Sequence, residues 1–217
     1  MNKHIDITIE IENVEMQFGD EKILKGISHE FERGKIHGII GHNGSGKTVL
    51  FKCICGFLIP TKGRIFVDYE QIGKDIDFPQ DLGLIIETPG FLPRMNGFKN
   101  LKLLASLRRK INDTQIKDIL LQVGLDPNSS KGVGQYSLGM RQRLGLAQAL
   151  MEEPSLLVLD EPFNGLDKQS LNEMRSLIKN YITPQRTILM ASHNPEDIDM
   201  LCDTVCQIDG GRLTQIR

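Results

Sequence analysis

The chain has 217 residues, 26 Lys plus Arg against 28 Asp plus Glu, and 40% hydrophobic residues. This length holds one or two ordinary domains with a core of their own, which excludes a small disulfide scaffold and a disordered tail. A formal charge of −2 removes the usual argument for a nucleic-acid partner, and the basic run Leu107-Arg108-Arg109-Lys110 reads as a solvated helix end.

In chain order, the first pattern is Ile5, Ile7, Ile9 and Ile11 alternating with Asp6, Thr8 and Glu10. That is the period of a strand with one buried face, so an antiparallel element is expected to open the fold. The same stretch lacks a basic start followed by an apolar block, and no apolar run approaches the ~18–20 residues a membrane-spanning helix needs. A cytosolic protein is expected, soluble or held at a membrane by a partner. Cys53, Cys55, Cys202 and Cys206 agree as buried reduced thiols, since neither pair has Cys-x-x-Cys spacing.

Further strands are predicted at Lys35 to Ile40, Arg64 to Tyr69, Leu82 to Ile86, Leu156 to Leu159, Thr187 to Ala191 and Thr204 to Ile208. Several are continuous apolar runs, as expected where a parallel sheet is covered on both faces. Gly210-Gly211 suits a tight hairpin before Arg212 to Ile216. From about Phe98 to Met151 the spacing turns helical, through Leu101, Leu104 and Leu107, then Ile116, Ile119, Leu120 and Val123, then Leu138 and Leu144 to Leu150. The expected fold is α/β: a discontinuous core from residues 1–87 and 152–217, with a helical insert at 88–151. Thr88-Pro89-Gly90-Phe91-Leu92-Pro93, where the insert begins, reads as a hinge.

Gly41-His42-Asn43-Gly44-Ser45-Gly46-Lys47-Thr48 fits G-x-x-x-x-G-K-[ST], follows the apolar strand Ile36 to Ile40 and precedes the helical run Val49 to Cys55. Such a loop curls so that successive N–H groups point at phosphate oxygens, while the helix turns its positive end to the same anion. Lys47 is placed on the β and γ phosphates and Thr48 on Mg²⁺. A second element, Leu156-Leu157-Val158-Leu159-Asp160-Glu161, is an apolar strand ending in two carboxylates. Lying beside the strand that feeds the loop, it would bring Asp160 to Mg²⁺ and Glu161 to the water attacking the γ-phosphate.

With these residues, Tyr136-Ser137-Leu138-Gly139-Met140-Arg141-Gln142-Arg143, Asn164-Gly165-Leu166-Asp167, His193 in Ala191-Ser192-His193-Asn194, and Phe18 make the chain resemble an ATP-binding cassette (ABC) transporter ATPase subunit over essentially its whole length. The resemblance implies a P-loop ABC ATPase fold with a mixed, mainly parallel core sheet, an N-terminal antiparallel element and an inserted helical subdomain. It implies ATP and Mg²⁺ as ligands. Nucleotide contacts would come from Gly41, His42, Asn43, Gly44, Ser45, Gly46, Lys47, Thr48 and Val49, from Phe18 stacked on adenine, and from Ser137 and Gly139 of the signature segment on a second subunit. Lys47, Glu161 and His193 would be catalytic, and Thr48, Asp160 and Glu87 would hold the metal.

The residues also allow plainer roles: Ser137 and Asp167 as helix N-caps, Phe18 as an edge-strand aromatic, His193 as a turn cap. Glu87 stands where the family usually has glutamine, and Leu138 and Met140 stand where its signature usually has glycine and glutamine. Glu87-Thr88-Pro89-Gly90-Phe91 and the Tyr-Ser-Leu-Gly-Met run are similar to the branch that exports or protects against bacitracin-like and lantibiotic peptides. The implied partners are a second copy in the ATP state and separate transmembrane permease subunits, which would hold the chain on the inner face of the membrane; no nucleic acid is expected. Two alternatives remain at this point, a P-loop small-molecule kinase and a soluble ABC ATPase working without membrane subunits.

Overall fold

The computed structural model describes residues 6–217; the expectation at Ile5 lies outside them. β1 (Ile7–Phe18) pairs antiparallel with β2 (Glu21–Glu32), and β3 (Ile36–Ile40) runs into helix α1 (Lys47–Ile54). β4 (Lys62–Val67) joins the other edge of β1 and carries β5 (Glu70–Gln71), giving a four-stranded antiparallel sheet of order β2-β1-β4-β5. β6 (Leu82–Ile85) is followed by α2 (Gly97–Arg108), α3 (Asp113–Gln122) and α4 (Leu138–Leu150). Then come β7 (Leu156–Asp160), α5 (Lys168–Tyr181), β8 (Thr187–Ala191), α6 (Pro195–Leu201), β9 (Thr204–Asp209) and β10 (Arg212–Gln215).

The second sheet has the order β10-β9-β3-β8-β7-β6 and is parallel except for the β9–β10 hairpin. One expectation is corrected here: β7 does not lie beside β3. β8 stands between them, pairing Ile36 with Ile188 on one side and Asp160 with Ala191 on the other. The ends of β3 and β7 still open on the same edge, because both run parallel to their shared neighbour. Two strands extend the predicted pattern, β2 and β5, and the predicted strand β4 joins the antiparallel sheet.

The apolar strands separate into two cores by alternate residues. Leu157 and Leu159 of β7 and Ile188 and Met190 of β8 face α2 to α6, whereas Leu156, Val158, Leu189 and Ala191 face α1 and the antiparallel sheet. Burial on both faces explains why these segments show no polar alternation. At about 1.5–3 kcal/mol for each large buried side chain, this double burial dominates the forces holding β3, β7 and β8 together.

The helices begin on side chains suited to the task. Asn112 and Gln115 form a reciprocal capping box at α3, and Asn96, Ser137, Asp167 and Asn194 each accept a backbone N–H at the start of α2, α4, α5 and α6. Buried Asn100 of α2 donates to the carbonyls of Leu92, Met95 and Asn96 and accepts from the Leu92 N–H at 2.8 Å. The expected hinge is therefore fastened to α2 from Leu92 onward. All four cysteines are free and buried, and burial pushes Cys53, Cys55 and Cys202 up to about 12 and Cys206 to about 11, so they are unreactive thiols in the native fold. Among the described residues no helix is long and apolar enough to cross a membrane.

Candidate functional site

The loop between β3 and α1 wraps round its own lysine. Lys47 is 7% exposed, and its ammonium donates to the carbonyls of Gly41 at 2.7 Å and His42 at 3.2 Å. Gly46, which precedes the helix, sits at φ 109°, a conformation L side chains rarely adopt; a Cβ there would also lie 3.0 Å from the Leu24 side chain. The loop from Gly41 to Gly46 can thus close directly onto the first turn of α1. Beside it, the Ser45 hydroxyl is buried without a hydrogen-bond partner among the described residues. An orphaned buried donor of that kind fits a loop built to surround an acceptor-rich group such as phosphate.

Asn43, Gly44, Ser45, Gly46, Lys47, Thr48 and Val49 line a cavity of about 440 Å³ with Asp160, Glu161 and Ile23. Across it the Thr48 hydroxyl donates to the Asp160 carboxylate at 2.5 Å. A hydroxyl and a carboxylate so close together form the hard oxygen set that Mg²⁺ takes. Glu161 follows β7 at φ 51°. Its carboxylate meets His193 Nδ1 at 2.8 Å and the His193 backbone N–H at 3.3 Å, while its own N–H donates to the Ala191 carbonyl at 2.9 Å. β8 thus delivers the histidine, β7 the two carboxylates and β3 the loop, all at one edge of the parallel sheet, where open α/β folds place their ligands.

Other expected site residues do not line that cavity. Gly41 and His193 line a second, more apolar cavity of about 410 Å³ with Ser192, Ile198 and Ile216. His42 is exposed, its Nδ1 2.9 Å from the Asn43 carbonyl. Phe18 ends β1 at 48% exposure and does not line the loop cavity; Ile23 of β2, which carried no recognisable sequence signal, does. Glu87, at φ 59°, does not join Thr48 and Asp160 either: its carboxylate accepts from Lys52 Nζ of α1 at 2.6 Å. That pairing joins the exposed Glu87 carboxylate to α1. A basic residue five positions past Lys47 in α1 was the available hint.

Ser137 and Gly139 belong to yet another cavity, of about 510 Å³, with Leu138, Met140, Arg143, Gly165, Asp167 and Ser170. Among the described residues, none lines both this cavity and the one around Lys47. Ser137 caps α4 by accepting the Met140 N–H at 3.2 Å, so its own O–H stays free to donate. Asp167 accepts the backbone N–H and the hydroxyl of Ser170, and these bonds hold its carboxyl below the ordinary carboxylate range. Both capping roles expected from the sequence are therefore present.

The ABC transporter family profile matches residues 24–164. The chain is 40% identical over 205 residues to the ABC transporter ATP-binding protein YybJ of Bacillus subtilis (strain 168), covering 94% of each. It is 36% identical over 213 residues to the bacitracin transport ATP-binding protein BcrA of Enterococcus faecalis, covering 97% of this chain and 69% of that protein. In three dimensions it is similar to a dimeric ATP-binding cassette solved in a post-hydrolysis state with ADP and phosphate, at a TM-score of 0.83 and 19% identity, over 96% of this chain and 99% of that one. Likeness at that identity establishes the fold: an antiparallel sheet packed on a mainly parallel one.

Proposed function

Because the chain belongs to the ABC transporter family, as one of its ATP-binding and ATP-hydrolysing subunits, we propose that two copies close head to tail around two ATP molecules and drive a membrane export system. The observation that carries this reading is the separation of the Lys47 cavity from the Ser137 cavity within one chain. Each copy supplies a phosphate loop to one nucleotide and the start of α4 to the other. Helix α4 offers free N–H groups and the Ser137 hydroxyl, the donors an incoming γ-phosphate needs.

In this reading Lys47 exchanges its carbonyl partners for the β and γ phosphates, and the buried Ser45 hydroxyl gains an acceptor. Mg²⁺ would be held by Thr48 and Asp160 and would supply positive charge to the phosphate oxygens. Glu161 orients water in line with the γ-phosphate and takes its proton as the bond to the β-phosphate oxygen breaks and ADP leaves. His193, already on the Glu161 carboxylate, fixes that side chain and faces the same phosphate. Residues 88–151 act as the helical unit that presents Ser137. Nucleotide contacts by Gly41, His42, Asn43, Gly44 and Gly46 follow from their places in the loop, those by Val49 and Gly139 from the first turns of α1 and α4, and Ile23 joins Phe18 as a candidate surface for the base.

Permease subunits would dock beside α2. Leu103 and Leu107 of α2 and Phe57, Ile59 and Phe78 beyond α1 are exposed apolar residues, and Arg108 bonds the Gln80 carbonyl, bringing α2 to the stretch that holds Phe78. Docking there places the chain at the inner membrane face. The proposed cargo is an antimicrobial peptide of the bacitracin or lantibiotic kind, supported by the relative named above and by the Glu87 and Ser137 segments. Which membrane polypeptide co-purifies, and which peptide stimulates the assembled complex, decides the cargo.

The decisive test is Glu161→Gln with saturating ATP and Mg²⁺. Light scattering should report a stable dimer while turnover falls by about 10³-fold or more. A monomer under those conditions, or wild-type turnover, overturns the shared-site reading.

A further inference from the structure

Gln142 lies in α4 five residues after Ser137, and its side-chain amide points away from that exposed tip into its own chain. It donates to the Glu161 carbonyl at 3.2 Å and to the Pro162 carbonyl at 2.8 Å. One helical turn earlier on the same face, Leu138 covers Gly165 so closely that a Cβ on that glycine would lie 2.4 Å from Leu138 Cδ2. The loop from Glu161 to Gly165 is thus held to α4 at both ends, by a polar clamp at Gln142 and an apolar one at Leu138.

We infer that Gln142 is a positioning residue for hydrolysis: it ties the helix that meets the partner's nucleotide to the backbone carrying this chain's own Glu161. The inference rests on the head-to-tail reading. Its physical basis is the conformation of Glu161, whose φ of 51° is sparsely populated by non-glycine residues and persists only when its surroundings impose it. The N–H of Glu161 is fixed by the Ala191 carbonyl of β8 and its side chain by His193. Its carbonyl is fixed by Gln142, the side-chain donor contributed by the signature helix. When a γ-phosphate on the other copy draws the start of α4, the amide moves with the helix and the Glu161 peptide follows. Each site is then set for attack on water only when the opposite site is filled.

Gln142→Glu tests this, because it keeps the shape of the side chain and replaces the donor with an oxygen that repels both carbonyls. Expected results are a fall in kcat of about tenfold with KM for ATP within about twofold, and a Hill coefficient for ATP falling from above one in the parent to one. Gln142→Met, which fills the same space without a donor, should behave likewise and serves if the glutamate variant does not fold. The double variants Glu161→Gln/Gln142→Glu and Glu161→Gln/Gln142→Met should still dimerise with ATP and Mg²⁺.

Parental kcat and cooperativity in both Gln142 variants overturn the inference while leaving the dimer intact. So does a loss of ATP binding or dimerisation in both double variants, which would mark Gln142 as a general structural prop. A monomeric Glu161→Gln parent has a different meaning: it overturns the shared site itself, and the coupling with it.

Discussion

At the end of β7 the reactive groups already have partners inside the chain: Asp160 holds the Thr48 hydroxyl, Glu161 holds His193, and Lys47 is seated on two loop carbonyls. At the start of α4 the situation is reversed, with Ser137 exposed, Leu138 56% exposed, and the capping hydroxyl retaining a hydrogen to donate. The first region is assembled by folding alone. The second has its shape fixed by the capping bond but its chemistry directed outward, which is what a surface needs if its ligand arrives on another molecule.

Substitutions in the two regions should separate along that line. Lys47→Ala removes the cation at the heart of the self-contained region, so nucleotide binding by the isolated chain should be lost and turnover should fall by about 10³-fold or more, measured by a fluorescent-nucleotide titration and phosphate release. Normal ATPase activity in that variant breaks the comparison. Ser137→Ala should lower turnover by about 10–10²-fold while the monomer binds ATP as before. A monomer that binds ATP more weakly would mean that Ser137 serves its own site.

The smallest expected effect concerns stability rather than catalysis, and it tests how self-contained the first region is. His37 in β3, 2% exposed, has one ring nitrogen 2.8 Å from the Glu32 carbonyl and the other 2.7 Å from the Thr204 hydroxyl. Burial holds its pKa below the ordinary 6.5, against a smaller raising effect of the Glu32 carbonyl, and burial lowers that of its neighbour His29 as well. The unfolded chain therefore binds more protons than the native one once the pH drops below about 6.5. Stability present above that value should decline as the pH falls toward the native-state pKa, read as a urea midpoint decreasing from pH 7 to pH 5. His37→Gln should flatten the decline; an unchanged slope would assign it to other groups.

The phosphate loop and the acidic strand end were legible because their chemistry requires particular residue types at fixed local spacings, whereas the Ser137 segment stood out only through its resemblance to the family. Strand boundaries at β3, β7, β8 and β9 followed from apolar runs for the same reason. β2 was missed because Leu24, Ile27 and Phe31, its buried residues, stand at intervals that resemble a helix. Register shifts along the β1–β2 ladder let residues at those intervals reach one face of the sheet. The order of strands was misjudged at β7 because adjacency depends on a crossover from a later segment, β8, whose apolar run carries no address. Short, acidic α6 lacked a periodic signal, although Asn194 and Pro195 mark its start. The clamps made by Gln142 and Lys52 are tertiary pairings across 19 and 35 positions, and neither residue type announces its partner.

The fastening of Leu92, Met95 and Asn96 to the buried Asn100 amide has a mechanical consequence. A push on that bend reaches α2 with little slack, because the bend and the helix share a single interior fixture. Compliance is left to the stretch from Glu87 to Gly90, which among the described residues is held by the Lys52 ion pair with Glu87 at 2.6 Å and by the Pro89 ring packed on Gly145 of α4. A relative turn of the sheet and α2 would be taken up at that brief connection, one ion pair away from α1.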